Sequence, residues 1–115
     1  MILELHGLQV FGYHGVEEEE QRLGQLFLFD VELEVGDRGA DDRLAGAVDY
    51  TEVAATIRDL SSSRRFDLIE ALASAAADLV YERFAPARVR VRVRKPEVKP
   101  AGLTVAYSAA TAERP

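Results

Sequence analysis

Hydrophobic and polar positions alternate in four stretches of this chain and recur at helical spacing in two. In residues 2–13, Leu3 and Leu5 share one face while Glu4 and His6 take the other. Gly7 marks a bulge there, after which Leu8 and Val10 continue the strand. Residues 25–35 have a clear period of two, with Phe27, Phe29, Val31, Leu33 and Val35 on one side and Asp30, Glu32 and Glu34 on the other. Residues 88–94 set Val89, Val91 and Val93 against Arg88, Arg90, Arg92 and Arg94. Residues 103–109 predict a last strand with Leu103, Val105 and Tyr107 on one face. Between the second and third strands, Val53, Ile57 and Leu60 form a helical stripe behind Asp49-Tyr50-Thr51-Glu52, which has the spacing of a capping box. Asp67-Leu68-Ile69-Glu70 repeats that spacing. Leu68, Leu72, Ala75 and Leu79, with Ile69, Ala73, Ala76 and Val80, then give a wide apolar face that runs to Phe84 and is closed by Pro86.

The resulting order, ββααββ, predicts an α+β fold with a four-stranded, mostly antiparallel sheet and two helices on its apolar face. A single domain is expected over 1–115. Two consecutive strands at the start argue against a ferredoxin-like binding module, which needs βαββαβ order. The acidic row Asp30, Glu32, Glu34 and the basic row Arg88 to Arg94 are complementary if they pair, each opposite-charge pair adding about 0.2–1 kcal/mol. Such a face is either simply solvated or lines the polar interior of an assembly.

Composition narrows the function. The chain has 115 residues, 48% hydrophobic and 30% charged, with no cysteine and a net charge of −6. Thiolate metal sites, disulfide frameworks and cysteine nucleophiles are therefore excluded. An acidic chain does not suit a phosphate backbone, so no nucleic-acid partner is expected. No apolar stretch approaches the ~18–20 residues that span a bilayer. The start, Met1-Ile2-Leu3-Glu4-Leu5-His6, lacks the basic opening of a signal peptide, and the cytoplasm is the expected compartment. Two histidines, His6 and His14, cannot make a three-histidine site, and no metal is expected. Phosphate-loop, dinucleotide and G-x-S-x-G fingerprints are absent.

Four features remain. Glu17 to Glu20 is a run of acids after the bend Phe11-Gly12-Tyr13-His14-Gly15, which on its own reads as a solvated loop. Tyr50 stands at a helix start, where most tyrosines merely pack. Glu70 fits the third helical position of a capping box, a sufficient structural reason for it. Lys95 ends a strand just before Pro96, in a chain whose only other lysine is Lys99 and whose remaining cations are all arginine. Arginine stays protonated under ordinary conditions, whereas a lysine amine can be made to give up its proton by desolvation or by neighbouring cations. A lysine here points to proton transfer, with a chance placement at a loop edge as the alternative.

Taken together, Phe11-Gly12-Tyr13-His14-Gly15-Val16, Glu20, Gly24-Gln25, Phe29-Asp30-Val31, Asp41-Asp42, Val48-Asp49-Tyr50, Leu68-Ile69-Glu70 and Val91-Arg92-Val93-Arg94-Lys95-Pro96 resemble the dihydroneopterin aldolase family. The match spans residues 1 to 96 in order. The segment 97–102 is shorter than the loop the family usually carries there. The resemblance implies the ββααββ tunnelling fold, in which four subunits join their sheets into a ring and two rings commonly stack into a homo-octamer with shared active sites. It implies a pterin substrate and no cofactor: the C=N bond of the dihydropterin is itself the electron sink that other aldolases take from a Schiff base or a metal. By match, Glu70 with the backbone of Ile69 binds the pterin edge, and Lys95 assists removal of the 2′-hydroxyl proton. Glu20 lies near the substrate hydroxyls and the lysine. Tyr50, from a neighbouring subunit, helps reprotonate carbon. The implied reaction is retro-aldol cleavage of 7,8-dihydroneopterin, with epimerisation at the 2′ carbon through the same intermediate as the alternative. Metal-dependent enzymes of the same fold need histidine or cysteine ligands that this chain lacks.

Overall fold

A computed structural model describes residues 1–115. Four strands, β1 (Ile2–Gly12), β2 (Gln25–Glu34), β3 (Arg88–Lys95) and β4 (Ser108–Arg114), form one antiparallel sheet in the order β1-β2-β3-β4. Helices α2 (Tyr50–Ser63) and α3 (Ile69–Phe84) connect β2 to β3 and pack on one face of the sheet, α2 over β1 and α3 over β3 and β4. No helix is long and apolar enough to cross a membrane.

Alternation decides which residues meet. Phe29 lies opposite Val93, Val31 opposite Val91 and Leu33 opposite Val89, all at most 1% exposed. The β-branched valines suit the pleat, and burial of each such side chain is worth about 1.5–3 kcal/mol. Leu72, Ala73, Ala76, Ala77 and Val80 of α3, with Val53 and Ile57 of α2, close the core above them. On the other face the two charged rows pair within the chain. Glu32 lies opposite Arg90 and bonds it at 3.3 Å, while Asp30 takes Arg94 on the diagonal at 2.9 Å. The expected bulge is present: register shifts between Leu5 and Leu8, and the Gly7 N–H donates to Asp30 Oδ1 at 2.8 Å. Burial alone would raise the Asp30 carboxyl, but the Arg94 guanidinium and this N–H hold it below the usual carboxylate range.

Three expectations need correction. The acidic run is not an open loop: Glu18–Leu23 is a short helix, α1, and the Glu20 side chain accepts the Glu17 N–H at 3.2 Å across its first turn. The spacing Glu17 to Glu20 is that of a capping box, masked in the sequence by a uniform row of acids. The last strand lies later than 103–109. Pro96 offers no N–H, so β3 ends at Lys95, opposite Ser108, and residues ahead of Ser108 have no strand to pair with. Leu103, Val105 and Tyr107 are therefore exposed, and Ala110 and Ala112 pack on the core in their place. The connection from β3 to β4 therefore runs from Pro96 to Tyr107.

The third correction concerns α3. Its N-cap is Leu68, without a side-chain cap, and Asp67 instead bonds Arg65 at 2.6 Å. Glu70 belongs to no capping box. Leu68, expected on the apolar face, is 49% exposed. Asp49 does cap α2, accepting the Thr51 N–H at 2.9 Å.

Candidate active site

An open cleft of about 990 Å³ lies where β2 begins, β3 ends and α3 starts. Glu20, Gln25, Leu68, Ile69, Glu70 and Lys95 are among the residues that line it, with part of the segment after Pro96 and the start of β4. Strand parity explains why Lys95 is there. It follows Val89, Val91 and Val93 on the inward face, so its stem leaves the core at the end of the sheet and not among the arginines of the outer row. Gln25 continues the row of Phe27 and Phe29 in the same way.

The Lys95 ammonium forms an ion pair with Glu20, and both side chains are largely enclosed. Glu20 Oε2 also accepts the Gln25 amide N–H at 3.1 Å. Burial would raise the Glu20 carboxyl. The hydrogen bond to Lys95, the Glu17 N–H, the Lys95 charge and the Gln25 amide outweigh it and hold the group below the usual carboxylate range. The carboxylate fits because residue 15 is glycine. Its φ is +148°, and a Cβ there would fall 2.5 Å from the Glu20 carboxyl carbon. Across the cleft, Glu70 stands in the first turn of α3, where the helix dipole favours an anion, and makes no ion pair. The uncapped start of α3 leaves its first backbone N–H groups free of side-chain partners.

Four of the five residues implied by the resemblance, Glu20, Ile69, Glu70 and Lys95, thus line one cleft. Tyr50 does not. It heads α2, is 57% exposed and lies outside the cleft of its own chain. Sequence reading missed Gln25 as a member of the site, although a polar residue in line with two buried phenylalanines was a readable signal. Its Oε1 is buried without a partner. It also missed a second grouping: Glu4, His6 and Glu32, on the sheet's polar face, have ligand atoms within 4.8 Å of one another and could hold a metal ion. Counting imidazoles alone overlooks it, because Glu32 comes from the neighbouring strand. The Glu4 hydrogen bond raises the His6 imidazole above its ordinary range.

A family model described as "FolB: Dihydroneopterin aldolase" matches residues 3–111. The chain is 42% identical over 95 residues to the dihydroneopterin aldolase of Methylorubrum extorquens, covering 80% of this chain and 73% of that protein. It is 39% identical over 94 residues to the dihydroneopterin aldolase of Streptococcus pyogenes, covering 79% of each. Its structure is similar to that of Escherichia coli dihydroneopterin aldolase in complex with neopterin, with a TM-score of 0.89, 30% identity and coverage of 100% of this chain and 99% of that one.

Proposed function

The chain belongs to the dihydroneopterin aldolase family, and from that premise we propose how its cleft divides the work of cleaving 7,8-dihydroneopterin. The products are 6-hydroxymethyl-7,8-dihydropterin and glycolaldehyde. The relatives bear the aldolase name, which does not favour an epimerase without cleavage.

The observation that carries the assignment is that Glu70, free of capping duty, shares a cleft with the Lys95–Glu20 pair. A pterin edge presents adjacent N–H donors. The Glu70 carboxylate accepts both at once, in the charge-assisted geometry that makes such pairs strong. The backbone of Ile69 completes that edge. The dihydroneopterin side chain then extends toward Lys95. Lys95 assists loss of the 2′-hydroxyl proton, directly or through water, and the oxygen becomes the aldehyde carbonyl as the C1′–C2′ bond breaks. The bonding pair moves onto C1′ and into the adjacent C=N, giving an enamine. Reprotonation at C1′ restores the imine and leaves the hydroxymethyl group. Glu20 orients the lysine and the substrate hydroxyls; as a carboxylate it favours the ammonium form and so is not what frees the base.

Tyr50 delivers the proton to carbon from a neighbouring subunit. Its exposure outside its own cleft supports this, as do the two unpaired sheet edges, β1 and β4, which a closed ring of four chains would cover. Two such rings make the octamer. The substrate's own C=N bond serves as electron sink, so cleavage needs no metal. We place the enzyme in the cytoplasm, the compartment expected of a soluble step in folate biosynthesis. Purified protein incubated with 7,8-dihydroneopterin and a chelator is expected to release glycolaldehyde. Formation of an isomeric triol alone, or activity that chelation abolishes, would overturn the reading.

A further inference from the structure

His14 is one of the few polar residues in the core, 1% exposed, and both of its ring nitrogens are engaged. Its Nδ1 accepts the Phe66 N–H at 3.1 Å. The ring proton of the neutral imidazole therefore sits on Nε2, 2.9 Å from the Ser61 hydroxyl, which in turn donates to the Phe11 carbonyl at 3.3 Å. The chain of bonds thus runs from the α2–α3 connection, through the imidazole and the end of α2, to the end of β1. The rings of Phe27 and Phe66 pack against the imidazole at 5.1 and 5.6 Å. The space is built for it: a Cβ on residue 12 would fall 2.6 Å from the ring and 2.8 Å from Ser61 Oγ, so only glycine fits there.

The other backbone group of Phe66 is held by the same short segment. The Gly15 N–H donates to the Phe66 carbonyl at 3.0 Å, and Arg65 Nη1 donates to the Gly15 carbonyl at 3.0 Å. Residues 14 and 15 therefore clamp Phe66 by both its N–H and its C=O. This matters because α3 begins only three residues later and has no cap of its own. A helix start without a capping side chain takes its position from the chain that leads into it. Burial, with the cations Arg65 and Lys95 nearby, pushes the imidazole below its ordinary pKa, in line with a neutral acceptor at Nδ1.

We infer that His14 is the positioning residue of the pterin pocket: by accepting the Phe66 N–H it holds the uncapped start of α3, and with it Ile69 and Glu70, where the pterin edge is bound. The inference rests on the pterin-binding role given to Glu70 above. His14 does not line the cleft and makes no hydrogen bond to Lys95, so its loss acts on binding and spares the bond-breaking step. In His14→Leu the Phe66 N–H is left buried without an acceptor. In His14→Asn the amide Oδ1 stands close to where Nδ1 stood and can accept it again.

The test is steady-state cleavage of 7,8-dihydroneopterin, together with the Kd of 6-hydroxymethyl-7,8-dihydropterin, on wild type and both variants. The expected result for His14→Leu is a rise of about ten-fold in KM and Kd with kcat within about three-fold, from one unpaired buried donor. His14→Asn is expected to return both to within about three-fold of wild type. KM and Kd unchanged in His14→Leu, a fall in kcat at constant KM, or an asparagine variant no better than leucine would overturn the inference. If His14→Leu does not fold, His14→Ala, which removes the same acceptor with less bulk, is measured instead. A rise of about ten-fold in KM is expected there, and no change overturns the inference. A wild type that binds no pterin would instead sink the assignment of Glu70, so the two failures are distinguishable.

Discussion

Lys95 and Glu70 illustrate how much a single side chain's setting decides. Lys95 is the inward-facing successor to three valines, so its amine reaches the cleft from the end of the core and meets Glu20 there. Lys95→Ala is expected to lower kcat by about 10²–10⁴-fold, the usual worth of a positioned acid–base group, while the Kd for pterin changes little. Glu70→Ala should do the opposite and weaken pterin binding. Because Glu70 caps nothing, that variant's stability should stay within about 0.5 kcal/mol of wild type, as thermal unfolding will show. A true capping box would have cost more. His14 brings a pH dependence. Its folded pKa lies below the ordinary 6.5, chiefly through burial and then through Arg65 and Lys95, so the unfolded chain binds the proton first. Stability is then fully present above about pH 6.5 and falls as pH drops from there toward the folded value. The unfolding midpoint should decline between pH 7 and 5 in wild type and less steeply in His14→Asn. Glu20 and Asp30, both held low, add to the loss only at more acidic pH.

At the scale of elements, the sheet follows from period-two patterning and the helices from their stripes, and local chemistry explains where each begins and ends. Asp49 caps α2 through Thr51, and Asp49→Ala should cost about 1 kcal/mol, measurable by chemical denaturation. The same four-residue spacing at Asp67 fails because a nearby arginine claims the aspartate. Spacing therefore names a candidate cap but cannot decide between competing partners. Residues 103–107 teach a related lesson. Their alternation is real, yet a strand needs a neighbour, and Pro96 ends the neighbour at Lys95. α1 escaped notice for the opposite reason: its turn of acids carries no apolar stripe, and none of its residues is buried.

On the scale of the whole molecule, the chain presents a sheet with both edges open, a row of exposed apolar residues before β4, and Tyr50 standing apart from the cleft. The ring of copies proposed above would account for the open edges and for the place of Tyr50. If Tyr50 serves a neighbour's cleft, Tyr50→Phe and Lys95→Ala are each inactive alone. Subunits of the two variants, mixed and reassembled, should then regain about a quarter of the wild-type sites by random pairing. No recovery on mixing, with reassembly verified by light scattering, would place Tyr50 and Lys95 in the same protomer's site.

The sequence by itself determined the sheet's two faces and the two long helices, because periodicity is a property of neighbours along the chain, and its motifs pointed to the family and, through that resemblance, to Glu20, Ile69, Glu70 and Lys95 as candidates. Only the tertiary structure decided that the charged rows pair within one chain, that Glu70 is free of capping, that β4 begins at Ser108, that Gln25 bonds Glu20 and that His14 accepts the Phe66 N–H. Each of these turns on which of several possible partners a group meets. The partners come from segments far apart in sequence: His14 and Phe66, or Glu32 and Arg90. Local patterning carries no record of that choice. It is made when the chain packs, by burial that leaves a donor one acceptor and a charge one counter-charge.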